Sequence, residues 1–118
     1  ALGGIMPFIN SKITVPVPQE KRDILKAEFG KAITELGKTE SYLMLGFEDN
    51  YDLYFAGKKL QKGACVSVQL LGAIDSSKSE KMTARICDIL HNHLDIPGNA
   101  VYVTYQGIKD WGWNGGNF

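Results

Sequence analysis

The feature that most constrains the fold is an internal repeat that spans nearly the whole chain. Placing Leu36 over Leu94 and Thr39 over Pro97 superimposes two halves at an offset of about 58 residues. Each half has the pattern of a strand, a helix and a second strand. Right-handed crossovers place both helices of such units on the same side of a sheet. The repeat therefore predicts an α+β (two-layer α/β) fold, with two β-α-β units, a four-stranded sheet and both helices on one face.

Hydrophobic periodicity predicts the elements of each half. The first half has an extended segment, PFINSKIT, and a helix from about Pro18 to Leu36 that Gly37 ends. The segments SYLMLGFED and YDLYFAG are expected strands, and the turn-forming Asp49 and Asn50 between them suggest a hairpin. The second half has the strand ACVSVQLLG, the helix SSKSEKMTARICDILHNHL and the strand AVYVTYQG.

Alternation along the last two long strands predicts one apolar and one semi-polar sheet face. A semi-polar face is either solvated or packed against a partner, and we favour self-association. The residues assigned to the core face are Ala64, Val66, Val68, Leu70, Val101, Val103 and Tyr105, and those assigned to the other face are Cys65, Ser67, Gln69, Leu71, Tyr102, Thr104 and Gln106.

Length and charge favour a single globular domain without a nucleic-acid or membrane partner. The 118 residues contain no linker-like stretch, and 13 basic residues balance 13 acidic ones. The apolar runs are too short to span a bilayer, and residues 1–6 lack the regions of a signal peptide. We therefore expect a cytoplasmic protein, with secretion that needs no signal peptide as the alternative.

Three motifs that suggest a cofactor, a metal or a disulfide do not have the required spacing. The G-K-T of AITELGKTE follows a helix C-terminus, and Ala32 stands where a phosphate-binding loop needs glycine. His91 and His93 diverge by about 200° on a helix, so they predict no metal site. Cys65 and Cys87 form no C-x-x-C motif and are expected to be buried free thiols. No cofactor and no metal are expected.

The sequence MPFIN near the start is the strongest indication of chemistry. We interpret residues 1–6 as five added residues and an initiator methionine, and residues 7–118 as the domain. Removal of Met6 would leave Pro7 with a secondary amine, which can act as a base. The alternative is a proline that merely begins an edge strand, where its missing N–H is harmless.

Five motifs resemble the macrophage migration inhibitory factor family of the tautomerase superfamily: MPFI, LGKTESYLML, LLGAI, VYVTY and WGWNGGNF. The resemblance extends from Met6 to Phe118. It implies a homotrimer whose sheets face a central channel, with active sites between subunits. It also implies an isomerase, a keto–enol tautomerase of phenylpyruvate-like or dopachrome-like compounds, for which the substrate is a small aromatic α-keto acid. A signalling ligand that binds a receptor protein with little catalysis, and a generic two-layer binding module, are the alternatives.

The resemblance also assigns the site residues. Pro7 matches the family's amino-terminal general base, and Lys38 its active-site lysine, although the alternative for Lys38 is a lysine beside a helix C-terminus. Leu71 matches a position whose backbone N–H contacts the ligand. The other substrate-binding positions belong to an adjacent subunit or to the tail: Tyr102, Thr104, Trp113 and Phe118.

Three departures from the family pattern bear on activity. Thr104 stands where the family commonly has an asparagine that binds substrate, and Trp111 replaces a smaller residue at the pocket rim. Val66 occupies the second position of a C-x-x-C found in some relatives, so no thiol–disulfide activity is expected. In the chain as given, Met6 keeps the Pro7 nitrogen in an amide, and we expect this form to be inactive.

Overall fold

The computed structural model of the protein describes residues 6–118. The prediction that residues 1–5 are additions concerns residues outside this range. Three short 3-10 helices cover Ile33–Leu36, Glu40–Tyr42 and Gly98–Ala100. The remaining elements are β1 (Pro7–Ile13), α1 (Gln19–Ala32), β2 (Met44–Glu48), β3 (Tyr54–Phe55), β4 (Lys58–Lys59), β5 (Ala64–Leu71), α2 (Ser76–Leu94), β6 (Val101–Ile108), β7 (Gly112–Trp113) and β8 (Gly116–Asn117).

The four longest strands form one mixed sheet in the order β2-β1-β5-β6. Strand β1 is parallel to β2 across helix α1, and β5 is parallel to β6 across helix α2. The two units meet through the antiparallel pairing of β1 with β5. The repeat thus forms two β-α-β units in one sheet, which confirms the predicted fold class.

Both helices pack on the inner face of this sheet. Burial alternates along β1 and β5, and more weakly along β6, as the sequence pattern predicted. Leu71 is an exception, because it is buried at the end of β5 although the alternation assigned it to the outer face. Among the described residues, the core cluster begins at Ile9, so Met6 is not part of it. Its members are Ile9, Ile13, Val17, Leu25, Phe29, Ala32, Ile33, Leu36, Ala64, Val66, Val68, Leu70, Met82, Ile86, Ile89, Leu90 and Ile96.

The ends of the helices follow from local sequence. Helix α1 starts after Pro18, tightens into the 3-10 turn Ile33–Leu36 and ends at Gly37, whose φ of 72° suits glycine. Helix α2 starts at Asp75, whose carboxylate accepts the backbone N–H groups of Ser77 and Lys78 at 3.0 and 3.3 Å. Both predicted helices are confirmed.

The predicted hairpin of SYLMLGFED with YDLYFAG is wrong. The crossover through α1 brings β2 beside β1 instead. After β2 the chain is held by Asp49, which accepts the Val17 N–H at 2.8 Å and pairs with Arg22 at 3.2 Å. Only Tyr54–Phe55 of the second segment is a strand, and it pairs with β4 through a turn at Ala56 and Gly57, both with positive φ.

The residues that suggested other functions have ordinary positions. Cys65 and Cys87 are free thiols and are half-buried, more exposed than the sequence predicted. His91 is exposed and His93 is half-buried, as expected. Within residues 6–118, no group of three or more histidine, cysteine or acidic side chains could hold a metal ion. None of the helices in that range is both long and apolar enough to cross a bilayer.

Candidate active site

Pro7 is the first residue of β1 and is buried at one end of the sheet. It lies opposite Leu70 of β5. A proline fits the start of a strand because it has no N–H to leave unpaired. The Pro7 nitrogen is the atom bonded to Met6, so removal of Met6 would leave a free amine at this end of the sheet.

A cavity of about 490 Å³ opens at this end of the sheet, and Pro7 is part of its wall. Met6 is also part of the wall and is only 3% exposed. None of the described side chains that line the cavity carries a charge, so the space favours apolar and aromatic groups over ions. The lining residues are Met6, Pro7, Phe8, Ser41, Tyr42, Leu43, Met44, Gln69, Trp111, Gly112 and Trp113.

Aromatic side chains from two parts of the chain form one rim of the cavity. The Tyr42 ring meets the Trp113 ring edge-on, with centroids 5.8 Å apart, and Trp113 stacks on Phe118 at 6.0 Å. Such contacts are preferred arrangements of aromatic pairs. Trp113 and Phe118 are still 50% and 43% exposed, which leaves both rings accessible to a ligand or a second chain.

A small hairpin at the C-terminus holds this rim in place. Strands β7 and β8 pair through a turn at Asn114 and Gly115, where φ is 52° and 83°. The Phe118 N–H donates to the Trp111 carbonyl at 3.1 Å and closes the hairpin. Of the predicted tail residues, Trp113 lines the cavity with Pro7, and the turn holds Phe118 stacked on Trp113.

Tyr102 and Thr104 lie toward the opposite end of the same sheet. Tyr102 is opposite Cys65 and Pro7 is opposite Leu70, so about five residues of β5 separate them, or roughly 17 Å. Tyr102 is 63% exposed and meets the Phe55 ring edge-on at 5.7 Å. Within one chain, these two predicted site residues do not reach the cavity at Pro7.

Lys38 and Leu71 do not line the cavity at Pro7. Leu71 is buried at the end of β5, next to Leu70, and lines a separate cleft of about 420 Å³ with Gly107. Lys38 is half-buried directly after the 3-10 turn at Ile33–Leu36, and its side chain is not part of the cavity wall. The structure thus brings Pro7 and Trp113 to one cavity, with Phe118 stacked on Trp113 and Leu71 at the same end of the sheet.

Sequence reasoning missed several residues of the cavity. Tyr42 lies in the motif LGKTESYLML, and a short 3-10 helix carries it to Trp113. Phe8, Met44 and Gln69 are on the outer sheet face, and the pairing that joins them is not visible in sequence. The alternation had already placed Gln69 on that face, which was the available signal.

None of the described groups with a shifted pKa lines the cavity. Burial raises the pKa of Tyr105, whose hydroxyl is 2.8 Å from that of Thr83 on α2. The Ser77 hydroxyl and nearby backbone N–H groups lower the pKa of Asp75 at the start of α2. Burial raises the pKa of the Cys87 thiol, which makes it a poor nucleophile at neutral pH.

Comparison with known proteins identifies the family. A solved structure of the MIF2 protein of Leishmania major is 36% identical, covers 98% of this chain and 100% of its own, and has a TM-score of 0.91. A solved homologue of macrophage migration inhibitory factor from Prochlorococcus marinus is 27% identical, with coverages of 94% and 98% and a TM-score of 0.84.

Sequence comparison agrees with the structural neighbours. A homologue of macrophage migration inhibitory factor from Trichuris trichiura is 28% identical over 96% of this chain and 100% of its own length. The family model described as macrophage migration inhibitory factor matches residues 6–118, and so begins at Met6, directly before Pro7. The chain therefore belongs to the macrophage migration inhibitory factor family.

Proposed function

We propose that this protein is a keto–enol tautomerase of small aromatic α-keto acids, with the Pro7 amine as general base. The observation that carries the proposal is that Pro7 is a buried part of the wall of an uncharged, aromatic cavity. Burial in such a place disfavours the charged ammonium form and so favours the neutral amine. A neutral amine can accept a proton from the carbon beside a ketone carbonyl.

The reaction needs no other reactant. The Pro7 amine takes a proton from the carbon next to the carbonyl, and the electron pair of that C–H bond forms the enol double bond. The enolate oxygen then takes the proton that the Pro7 ammonium carries, which restores the neutral amine and completes the isomerisation. The aromatic rim, with Tyr42 and Trp113, would hold the substrate ring beside this amine.

We also propose that the site is completed by a second copy of the chain in a homotrimer. Tyr102 and Thr104 face outward on the exposed side of the sheet and are displaced from Pro7 toward its other end, Tyr102 by roughly 17 Å along the strand direction alone. A neighbouring copy can place its Tyr102 and Thr104 beside the Pro7 of this chain, whose own Tyr102 and Thr104 do not reach that cavity. Lys38 would bind the substrate carboxylate outside the uncharged cavity.

The presence or absence of Met6 determines whether the Pro7 nitrogen can act as a base. While Met6 is attached, the Pro7 nitrogen is part of an amide whose lone pair is delocalised into the carbonyl. The buried Met6 side chain also fills part of the cavity. The full chain is therefore expected to fold but not to turn over phenylpyruvate, whereas protein that starts at Pro7 is expected to be active.

The test compares phenylpyruvate turnover by the full chain and by protein that starts at Pro7, with each terminus verified by mass spectrometry. We expect the amide form to be slower by about 100-fold or more, the usual contribution of a general base. A Pro16→Ala variant of the Pro7-terminal protein is the control, because Pro16 is an exposed proline outside the cavity. Equal rates for the two termini would refute the amine mechanism.

A further inference from the structure

One row of side chains crosses three strands on the outer face of the sheet and ends in the cavity. Phe8 is paired with Met44 on one side and with Gln69 on the other. All three residues line the cavity beside Pro7. Residues directly opposite on neighbouring strands share a face and lie about 5 Å apart. Gln69 is thus the polar member of a row that is otherwise apolar.

Gln69 has hydrogen-bonding capacity that the fold does not use. Its amide offers two N–H donors and a carbonyl acceptor. Its side chain makes no hydrogen bond to another of residues 6–118. The residue is half-buried. A ligand that excludes water from this part of the cavity must form hydrogen bonds with the Gln69 amide, because an unpaired amide weakens the binding free energy.

We propose that Gln69 is a specificity-determining residue that binds a ring hydroxyl of the substrate. This inference rests on the proposed tautomerase function and names the substrates that function would prefer. The uncharged wall disfavours burial of the substrate carboxylate, so the ring enters and the carboxylate stays outside. The ring then lies among Tyr42, Trp111 and Trp113, with its polar substituent at the Gln69 amide.

The other outer-face candidate for this role is Thr104, which the family pattern suggested through its commonly found asparagine. Thr104 is opposite Ser67, two residues farther along β5 than Gln69 and away from Pro7. Its hydroxyl is also shorter than an amide and offers a single donor. Gln69 therefore supplies, from the same chain as Pro7, the amide that Thr104 lacks.

The test measures binding and does not depend on turnover. The ligands are phenylpropionate and para-hydroxyphenylpropionate, which have no ketone and therefore cannot undergo keto–enol tautomerisation. The chain has two tryptophans, Trp111 and Trp113, and both line the cavity, so intrinsic fluorescence reports on its occupancy. The protein starts at Pro7, which leaves the core from Ile9 onward unchanged.

Gln69→Leu keeps the size of the side chain and removes its hydrogen bonds. We expect this variant to lose about fivefold to tenfold of the preference for the hydroxylated ligand, as for one hydrogen bond. Gln106→Leu is the matched control, because Gln106 is paired with Gln69 on β6 but does not line the cavity. It should keep the wild-type preference. Gln69→Met serves as a second variant if Gln69→Leu does not fold.

The outcomes separate this inference from the proposed function. The role of Gln69 would be overturned if wild type and Gln69→Leu preferred the hydroxylated ligand to the same degree. It would also be overturned if wild type showed no preference for that ligand. If the preference falls as expected while no form turns over phenylpyruvate, the binding role stands and the tautomerase proposal fails. If turnover is present and the preference does not respond to Gln69, the tautomerase stands and this inference is wrong.

Discussion

Two chains, one inactive and one strongly impaired for a different reason, should restore activity when they assemble together. One is the full chain, whose Pro7 is blocked by Met6 but whose Tyr102 is intact. The other starts at Pro7 and carries Tyr102→Ala. Because Tyr102 lies roughly 17 Å from Pro7 along the strand direction and two strands away from it, the proposed trimer would complete each site with these residues from different copies.

The size of the recovery follows from this geometry. In a cyclic assembly every site combines the Pro7 of one copy with the Tyr102 of its neighbour, so random equal mixing completes about a quarter of the sites. The Tyr102→Ala protein alone should lose about tenfold or more in kcat/KM, because one wall that positions the substrate is missing. Co-refolded mixtures should therefore reach about a quarter of the wild-type rate.

The assay is phenylpyruvate turnover after the two chains are unfolded, mixed in equal amounts and refolded. The matched control mixes Tyr102→Ala protein with a full chain that also carries Tyr102→Ala, a pair in which no site can be complete. Sedimentation checks that trimers form. Trimers of mixed composition whose rate does not exceed that of the control would refute the site shared between subunits.

Three further predictions concern a charge, a glycine and a helix cap. Lys38→Ala should weaken binding of carboxylate ligands by about 1 to 3 kcal/mol more than binding of neutral ones; equal losses in measured Kd would contradict this. Gly107→Ala should lower the Tm, since its Cβ would overlap the Gly72 carbonyl, whereas Gly98→Ala meets open space and is the control; equal Tm values would count against this reading. The pKa of Asp75 is lowered from its ordinary value of 3.8 in the folded protein, so its stabilisation is present above that value and is lost as pH falls through the folded pKa. The Tm advantage over Asp75→Asn should therefore disappear in acid, and a gap that is independent of pH would oppose this.

The sequence predicted the elements that depend on local pattern and the topology that depends on the repeat. Helix α2 is bounded by Ser76 and Leu94, as predicted, because its apolar spacing is a local signal. The error at YDLYFAG has a different origin. Its aromatic residues favour a strand, but β2 pairs with β1 after the crossover, and only Tyr54–Phe55 finds a partner strand.

The site was harder to predict than the fold because it is built from pairing and from short turns. Pro7, Trp113 and Phe118 were expected in one site; Pro7 and Trp113 line one cavity, and Phe118 is joined to it only through its stacking on Trp113. Gln69 enters the cavity only through the register of β1 with β5, which depends on the whole sheet. Tyr42 enters through a short 3-10 helix that hydrophobic periodicity does not reveal.

The most direct test of Pro7 as the general base measures the release of Met6 and the appearance of activity in one sample. A chain that begins at Met6 is treated with methionine aminopeptidase, and mass spectrometry gives the fraction of chains with a free Pro7 amine at each time. If Pro7 is the base, the initial rate of phenylpyruvate tautomerisation starts near zero and rises in proportion to that fraction. A rate that is already full before Met6 is removed, or that does not change as it leaves, would contradict the assignment of Pro7 as the base.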